Sequence, residues 1–257
     1  MSVLRKALTV SLLALVALGF LWPFFVPTDE LADKASWFFL AASPLTLLLV
    51  IVLITQEELG SKQIALLGIL TALIAALRPL GIGAIGIEPM WFILILSARV
   101  FGPSFGFLLG MISMFVSALL TGGIGPWLGY QVFAAAWIGL MAGFLPKAMR
   151  GNREIVMLIV YAIFAAQAFG ILMDLQFWPW ALGSSTQLSY VPSGELAENL
   201  SRFITFHFAT AMAWDIPRAV FTSALIIFSG KPVLSALRRT HTRASFLAPI
   251  SFTERVK

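Results

Sequence analysis

Apolar runs separated only by short breaks fill this sequence almost from end to end. A helix crossing the hydrocarbon core of a bilayer needs about 20 predominantly apolar residues. The pattern therefore suits a chain that lives in lipid and excludes ordinary packing in water. Composition agrees: 60% of the 257 residues are hydrophobic and 11% are charged. A soluble domain has about 45–50% apolar and about 25% charged residues. Stretches such as 45–55 and 155–168 are apolar on every face, without the period-two alternation of a barrel strand. Backbone in lipid must satisfy its own polar groups, which leaves helices. The expected fold class is an all-α membrane protein of about eight transmembrane helices.

Breakers and polar turns divide the chain into apolar segments at 7–26, 37–55, 64–80, 90–100, 103–120, 127–145, 154–172 and 203–229. The first, after Arg5 and Lys6, resembles a signal peptide. It is long, lacks a small-x-small cleavage site and reads as a retained anchor. The first two segments form an N-terminal hairpin over 1–60, the other six a membrane domain over 64–234, and 235–257 a basic tail. Eight spans put both termini on one side. Arg5, Lys6, Lys62, Arg99, Lys147, Arg150, Arg153 and the basic residues of the tail fall on that side. Lys34 and Arg202 fall opposite, among Asp29, Glu30, Asp33, Glu195 and Glu198. The positive-inside rule then makes both termini cytoplasmic in a multi-pass protein of the cell membrane. The formal charge of +5 is spent at the ends of spans, which argues against a nucleic-acid partner. No cysteine is present, so disulfides and thiolate metal sites are excluded.

Four groups of residues could carry function. Gly68, Ala72 and Ala76 recur every fourth residue in the third segment and leave one flat face, beside Ala65 and Ala75. Such a face serves close helix packing, inside the chain or against another membrane subunit. A second small-residue face, at Gly102, Gly106 and Gly110, reads as internal packing. Asp215 and Arg218 share a helical face in the last segment, with Pro217 between them. Charges within a span are costly and are functional candidates by default; the pair reads either as a structural ion pair near mid-membrane or as a gating or binding element. Arg78 and Glu88 flank a glycine-rich link at 81–89, where irregular backbone must be covered or line a cavity. They are surface anchors, or they orient a polar ligand with Gln167 and Asp174. Trp91, Trp127, Tyr130, Trp178, Trp180 and Tyr190 gather on the same side, either as an interfacial belt or, for Trp91 and Trp127 above all, as ligand-stacking rings. Zinc, nucleophile-elbow and phosphate-loop motifs are absent, which argues against an enzyme and means that any ATP-driven work comes from another chain.

The stretch 76–81, the turn Gly86-Ile87-Glu88-Pro89, the run Arg99-Val100-Phe101-Gly102-Pro103, residues 117–126, Trp214-Asp215 and Arg218-Ala219-Val220 together resemble the substrate-binding S component of an energy-coupling factor (ECF) transporter, in a form common among actinobacteria. The resemblance covers about 64–234. It implies a six-helix S-component bundle, here preceded by the extra N-terminal hairpin. It implies that Ala72 and Ala76 form the face that docks on the transmembrane coupling subunit, with a pair of ATPases completing the importer. It also implies an outward-facing cavity for a vitamin or vitamin precursor, lidded by the link at 81–89.

The candidate liners are Arg78, Glu88, Trp91, Trp127, Tyr130, Gln131, Gln167 and Asp174. The ligand stays open among a corrinoid, thiamine or its pyrimidine precursor, riboflavin and others, with a lean to a corrinoid or thiamine-like compound by family analogy alone. No cofactor is expected. The second reading is a self-contained ion-coupled secondary transporter that uses Asp215 and Arg218 as a relay. It predicts transport abolished by an ionophore and indifferent to any ATPase.

Overall fold

The computed structural model describes residues 16–25, 61–81, 86–125, 127–181 and 186–244. Most of the expected N-terminal hairpin, the middle of the link at 82–85 and the end of the basic tail lie outside the described residues. Those described form an all-helical bundle without strands. In chain order its elements are α1 (Ser61–Leu77), α2 (Met90–Phe101), α3 (Pro103–Thr121), α4 (Leu128–Phe144), α5 (Gly151–Ala181), α6 (Leu196–Thr210) and α7 (Met212–Ala244). A short 3₁₀ turn, Arg78–Gly81, follows α1.

Four of these helices carry spans long and apolar enough to cross a membrane: Lys62–Gly81, Pro103–Thr121, Gly151–Pro179 and Met212–Thr242. Met90–Phe101 and Leu128–Phe144 are shorter and apolar. The exterior carries large apolar side chains such as Ile69, Val160, Phe164, Val220 and Phe228. A surface of that kind suits lipid and would be a liability in water.

Segments three to six run as the apolar pattern predicts, and local chemistry explains their ends. Proline disfavours the α conformation in the residue before it, so Pro79 closes α1 through the tighter turn. Pro103 opens α3, where its missing N–H costs nothing. Gly122 closes that helix in the left-handed conformation.

Three boundaries differ from the sequence reading. Helix α5 does not stop at 172 but continues through Asp174, Trp178 and Pro179 to Ala181. The last segment is not one helix: α6 ends at Thr210 and α7 begins at Met212, either side of Ala211. Nor does the helix end at Ser229, since it passes Gly230 and Pro232 into what reads as the tail.

The most extensive interface joins α3 to α4, and glycine makes it possible. A Cβ on Gly139 would lie 2.0 Å from the Gly106 carbonyl oxygen, and one on Gly110 2.3 Å from that of Ala135. Gly106 and Gly110 thus serve internal packing as expected. Gly102 forms the break between α2 and α3; a Cβ of its own would meet nothing within 4 Å, but Gly143 of α4 packs so close that a Cβ there would fall 2.5 Å from the Gly102 carbonyl carbon.

The N-terminal fragment touches this unit. Phe20, fully buried, packs its ring against Tyr130 at 5.0 Å and Trp137 at 5.3 Å.

One end of the bundle is held by a buried ionic hub. Glu154, at the start of α5, accepts hydrogen bonds on Oε1 from Arg99 Nε of α2 at 2.9 Å and from Arg238 Nη2 of α7 at 2.6 Å. Arg150 Nη1 lies 3.6 Å from the same oxygen. The Arg99 guanidinium also donates to the carbonyls of Leu145, Pro146 and Met149 in the α4–α5 connection. Arg99 and Glu154 are both buried. The sequence reading places these basic residues on one side, and the structure brings them around a single carboxylate.

Candidate substrate-binding site

At the opposite end, the short turn after α1 and the entry to α2 fold back over α3, α4, α5 and α7. Arg78, half-buried, donates from Nη2 to Gln131 Oε1 on α4 at 2.9 Å and from Nη1 to Ser117 Oγ on α3 at 3.4 Å. Two stretches that the resemblance rests on, 76–81 and 117–126, therefore meet at one guanidinium.

Glu88 is the second centre. Its Oε2 accepts from Trp91 Nε1 at 2.5 Å and from Arg218 Nε at 2.8 Å. Arg218 also donates from Nη1 to Asp215 Oδ1 at 2.6 Å, and its guanidinium carbon sits 5.0 Å from the centre of the Phe169 ring. That ring meets Trp91 edge-on, with centroids 4.6 Å apart. One cation thus joins the link, α5 and α7.

Backbone contact reinforces the joint. Gly86, with φ +69°, lies so close to α7 that a Cβ there would be 2.5 Å from the Trp214 carbonyl oxygen. Only glycine accepts both that conformation and that approach without strain.

Asp215 and Arg218 form an ion pair on one helical face. The division of the last segment at Ala211 puts Asp215 in the first turn of α7. The pair is also a triad, because Glu88 shares Arg218. The other oxygen of Asp215, Oδ2, is buried without a hydrogen-bond partner among the described residues, packed against Gly170 of α5. A Cβ on Gly170 would fall 1.8 Å from it.

Asp174 joins a different partner: its Oδ2 lies 2.8 Å from His207 Nδ1 on α6. Gln167, half-buried on α5, makes no hydrogen bond among the described residues. Tyr130 is buried beneath Phe20, while its neighbour Gln131 faces Arg78. Trp127 stands apart, exposed at the start of α4. Trp178 is not a belt residue. It is fully buried in a small core with Leu175, Phe203 and Phe206, and its Nε1 donates to the Leu188 carbonyl at 2.7 Å.

The sequence reading missed Ser117 as a partner of Arg78, Phe169 beneath Arg218, and His207 beside Asp174. The histidine carried a signal, since it is one of only two in the chain. Beneath the described part of the link, the structure places two hydrogen-bonded groups, Arg78 with Gln131 and Ser117, and Glu88 with Trp91 and Arg218.

Gly68, Ala72 and Ala76 are all exposed on α1, whereas the neighbouring Ala75 is fully buried. The buried stripe Leu67, Leu70, Thr71, Ile74 and Ala75 holds α1 to the bundle. The small-residue face therefore points away from it. A Cβ on Gly68 would meet nothing within 4 Å among the described residues.

Apolar spans around charge-assisted hydrogen bonds and aromatic rings define an all-α membrane protein. Residues 58–211 match the family model described as the ECF-type riboflavin transporter, S component. The chain belongs to that family: it is a substrate-specific subunit of an ECF transporter, a family of transport proteins and not of enzymes. No curated protein and no solved structure matches the chain.

Proposed function

We propose that this S component binds a vitamin or vitamin precursor at the cluster under the α1–α2 link and delivers it to an ECF importer. The observation that carries this reading is the extent of the family match. It runs over 58–211 and includes Arg78, Glu88, Trp91, Trp127, Tyr130, Gln131, Gln167 and Asp174.

Riboflavin is the first ligand to test, because the matching family is described by it. Trp91 and Phe169 supply aromatic surface, and Arg78, Gln131 and Glu88 supply hydrogen bonds of both senses, a combination suited to a planar heteroaromatic compound with polar edges. The match does not confirm the corrinoid or thiamine-like preference, which becomes the alternative outcome of the same test. Because Arg78 and Glu88 are engaged with other side chains, a ligand enters by taking over some of these hydrogen bonds.

Coupling follows the family pattern. The exposed Gly68, Ala72 and Ala76 face docks on the transmembrane coupling subunit, and paired ATPases power release. The link end faces outward, and the Glu154 end faces the cytoplasm with both termini.

The deciding experiment is mass spectrometry of small molecules retained by the full chain purified in detergent, followed by titration of the stripped protein with riboflavin and tryptophan fluorescence as readout. Saturable quenching that is lost in Trp91→Phe supports the site. A retained vitamin of another class, with no response to riboflavin, rejects the flavin assignment and leaves the family standing.

A further inference from the structure

At the Glu154 end a groove of about 740 Å³ runs along the outside of α5. One wall is the stripe Val156, Val160 and Phe164, and Leu145 and Met149 of the α4–α5 connection form the other. Its mouth carries Asn152 and Arg153. These positions repeat at three- and four-residue spacing, so they form a single helical stripe.

Val156, Val160 and Phe164 are each more than half exposed. The groove therefore opens from the surface of a membrane-crossing helix. Its inner side reaches Met157 and the buried Tyr161.

Two quantities limit what can occupy it. From Arg153 to Phe164 the helix rises about 16 Å at about 1.5 Å per residue. This is close to half of a hydrocarbon core about 30 Å thick. The groove thus has about the length of one leaflet, with an almost entirely apolar lining and with Asn152 and Arg153 at its Glu154 end.

The charge at the mouth is positive and unspent. Arg153 is exposed and has no ion pair or hydrogen bond among the described residues. Glu154, the sole carboxylate in residues 141–160 and 221–244, is engaged by Arg99 and Arg238, with Arg150 close by. Lys147 and Arg150 add further exposed positive charge nearby.

We infer that this groove is a binding site for one anionic phospholipid, its phosphate on Arg153 and Asn152 and an acyl chain along Val156, Val160 and Phe164. Basic pockets at the ends of membrane helices recognise acidic headgroups by the same attraction. The leaflet-length apolar floor separates this ligand from free phosphate, which would use the mouth alone. The site lies at the opposite end from the vitamin cluster and stands independently of it.

The test is native mass spectrometry of the detergent-solubilised full chain, incubated with equal amounts of phosphatidylglycerol and phosphatidylcholine bearing identical chains. The wild type is expected to retain phosphatidylglycerol preferentially. Arg153→Gln should lower that preference about fivefold, the equivalent of the ~1 kcal/mol that one basic residue contributes near an acidic surface. Val160→Trp, which fills the groove, should reduce retention of both lipids. Arg239→Gln removes a cation at the same end but outside the groove and should change nothing.

Equal retention of the two lipids by the wild type overturns the inference. An Arg239→Gln effect as large as that of Arg153→Gln does so too, as does undiminished retention in Val160→Trp. Loss of the adduct on adding inorganic phosphate alone would reduce the mouth to an anion site and also overturn it.

Discussion

Arg218 is the residue on which the link end depends most. It is buried, and it divides its donors between Glu88 and Asp215 while lying over Phe169. Removing one partner of a buried ion pair costs about 3–5 kcal/mol, because the other charge is left without compensation. Arg218→Met should therefore lower the thermal unfolding midpoint in detergent far more than Glu88→Gln. The latter keeps an acceptor oxygen facing Trp91 and Arg218 and only turns charge-assisted bonds into neutral ones, a loss of roughly 1 kcal/mol each, while Arg218 keeps Asp215. Equal midpoints for the two variants would remove Arg218 from its central place.

Gly170→Ala makes a sharper test, since its Cβ would collide with Asp215. The substitution should destabilise the wild type strongly and an Asp215→Ala background much less, a coupling readable in a double-mutant cycle. Additive effects would contradict the packing described. At this scale the sequence displays the charged members of the cluster but not how they pair. Arg78 and Glu88 flank the link in sequence, but that they bond to Gln131 and Arg218 depends on long-range packing of α4 and α7, which spacing within one segment cannot reveal.

Among the helices, α1 carries the clearest surface signal. Small residues at i, i+4 and i+8 can serve either side of a helix, and periodicity alone does not say which. The structure turns Ala72 and Ala76 outward and buries Ala75. The double variant Ala72→Leu/Ala76→Leu should keep the folded state and riboflavin quenching unchanged and abolish co-purification with the coupling subunit; co-purification at wild-type yield would end the docking assignment.

Most helices were legible because proline and glycine mark their ends. The exceptions have physical causes. Helix α5 outlasts its apolar run because Trp178 finds a buried place against Leu175, Phe203 and Phe206. The division at Ala211 has no breaker residue to announce it, and Ala211 itself keeps right-handed helical angles. Gly230 and Pro232 look like a stop and are not one, since α7 stays packed on α5 and carries Arg238 to Glu154.

Among the described residues, one polar layer lies at the α1–α2 link and another around Glu154, with the apolar core between them. The orientation proposed from the basic residues can be tested cleanly, because the natural chain has no cysteine. In intact cells, Gln187→Cys should react with a membrane-impermeant maleimide, and Ala148→Cys should react only after permeabilisation. The reverse pattern would invert the topology. Glu154→Gln removes the carboxylate that compensates Arg99 and should cost about 3–5 kcal/mol in unfolding stability, with little effect on ligand affinity at the far end. A loss of affinity as large as the loss of stability would show that the two layers are not independent.

Arg99 ties the α4–α5 connection to α2 through three backbone carbonyls, and Glu154 fastens α5 and α7 to the same guanidinium. Rods riveted together at their base can part only at their tips, and the parting widens with distance from the rivet. If a vitamin enters at the link end as proposed, the opening is expected where Glu88 and Arg78 cross between helices, with the Glu154 end held together.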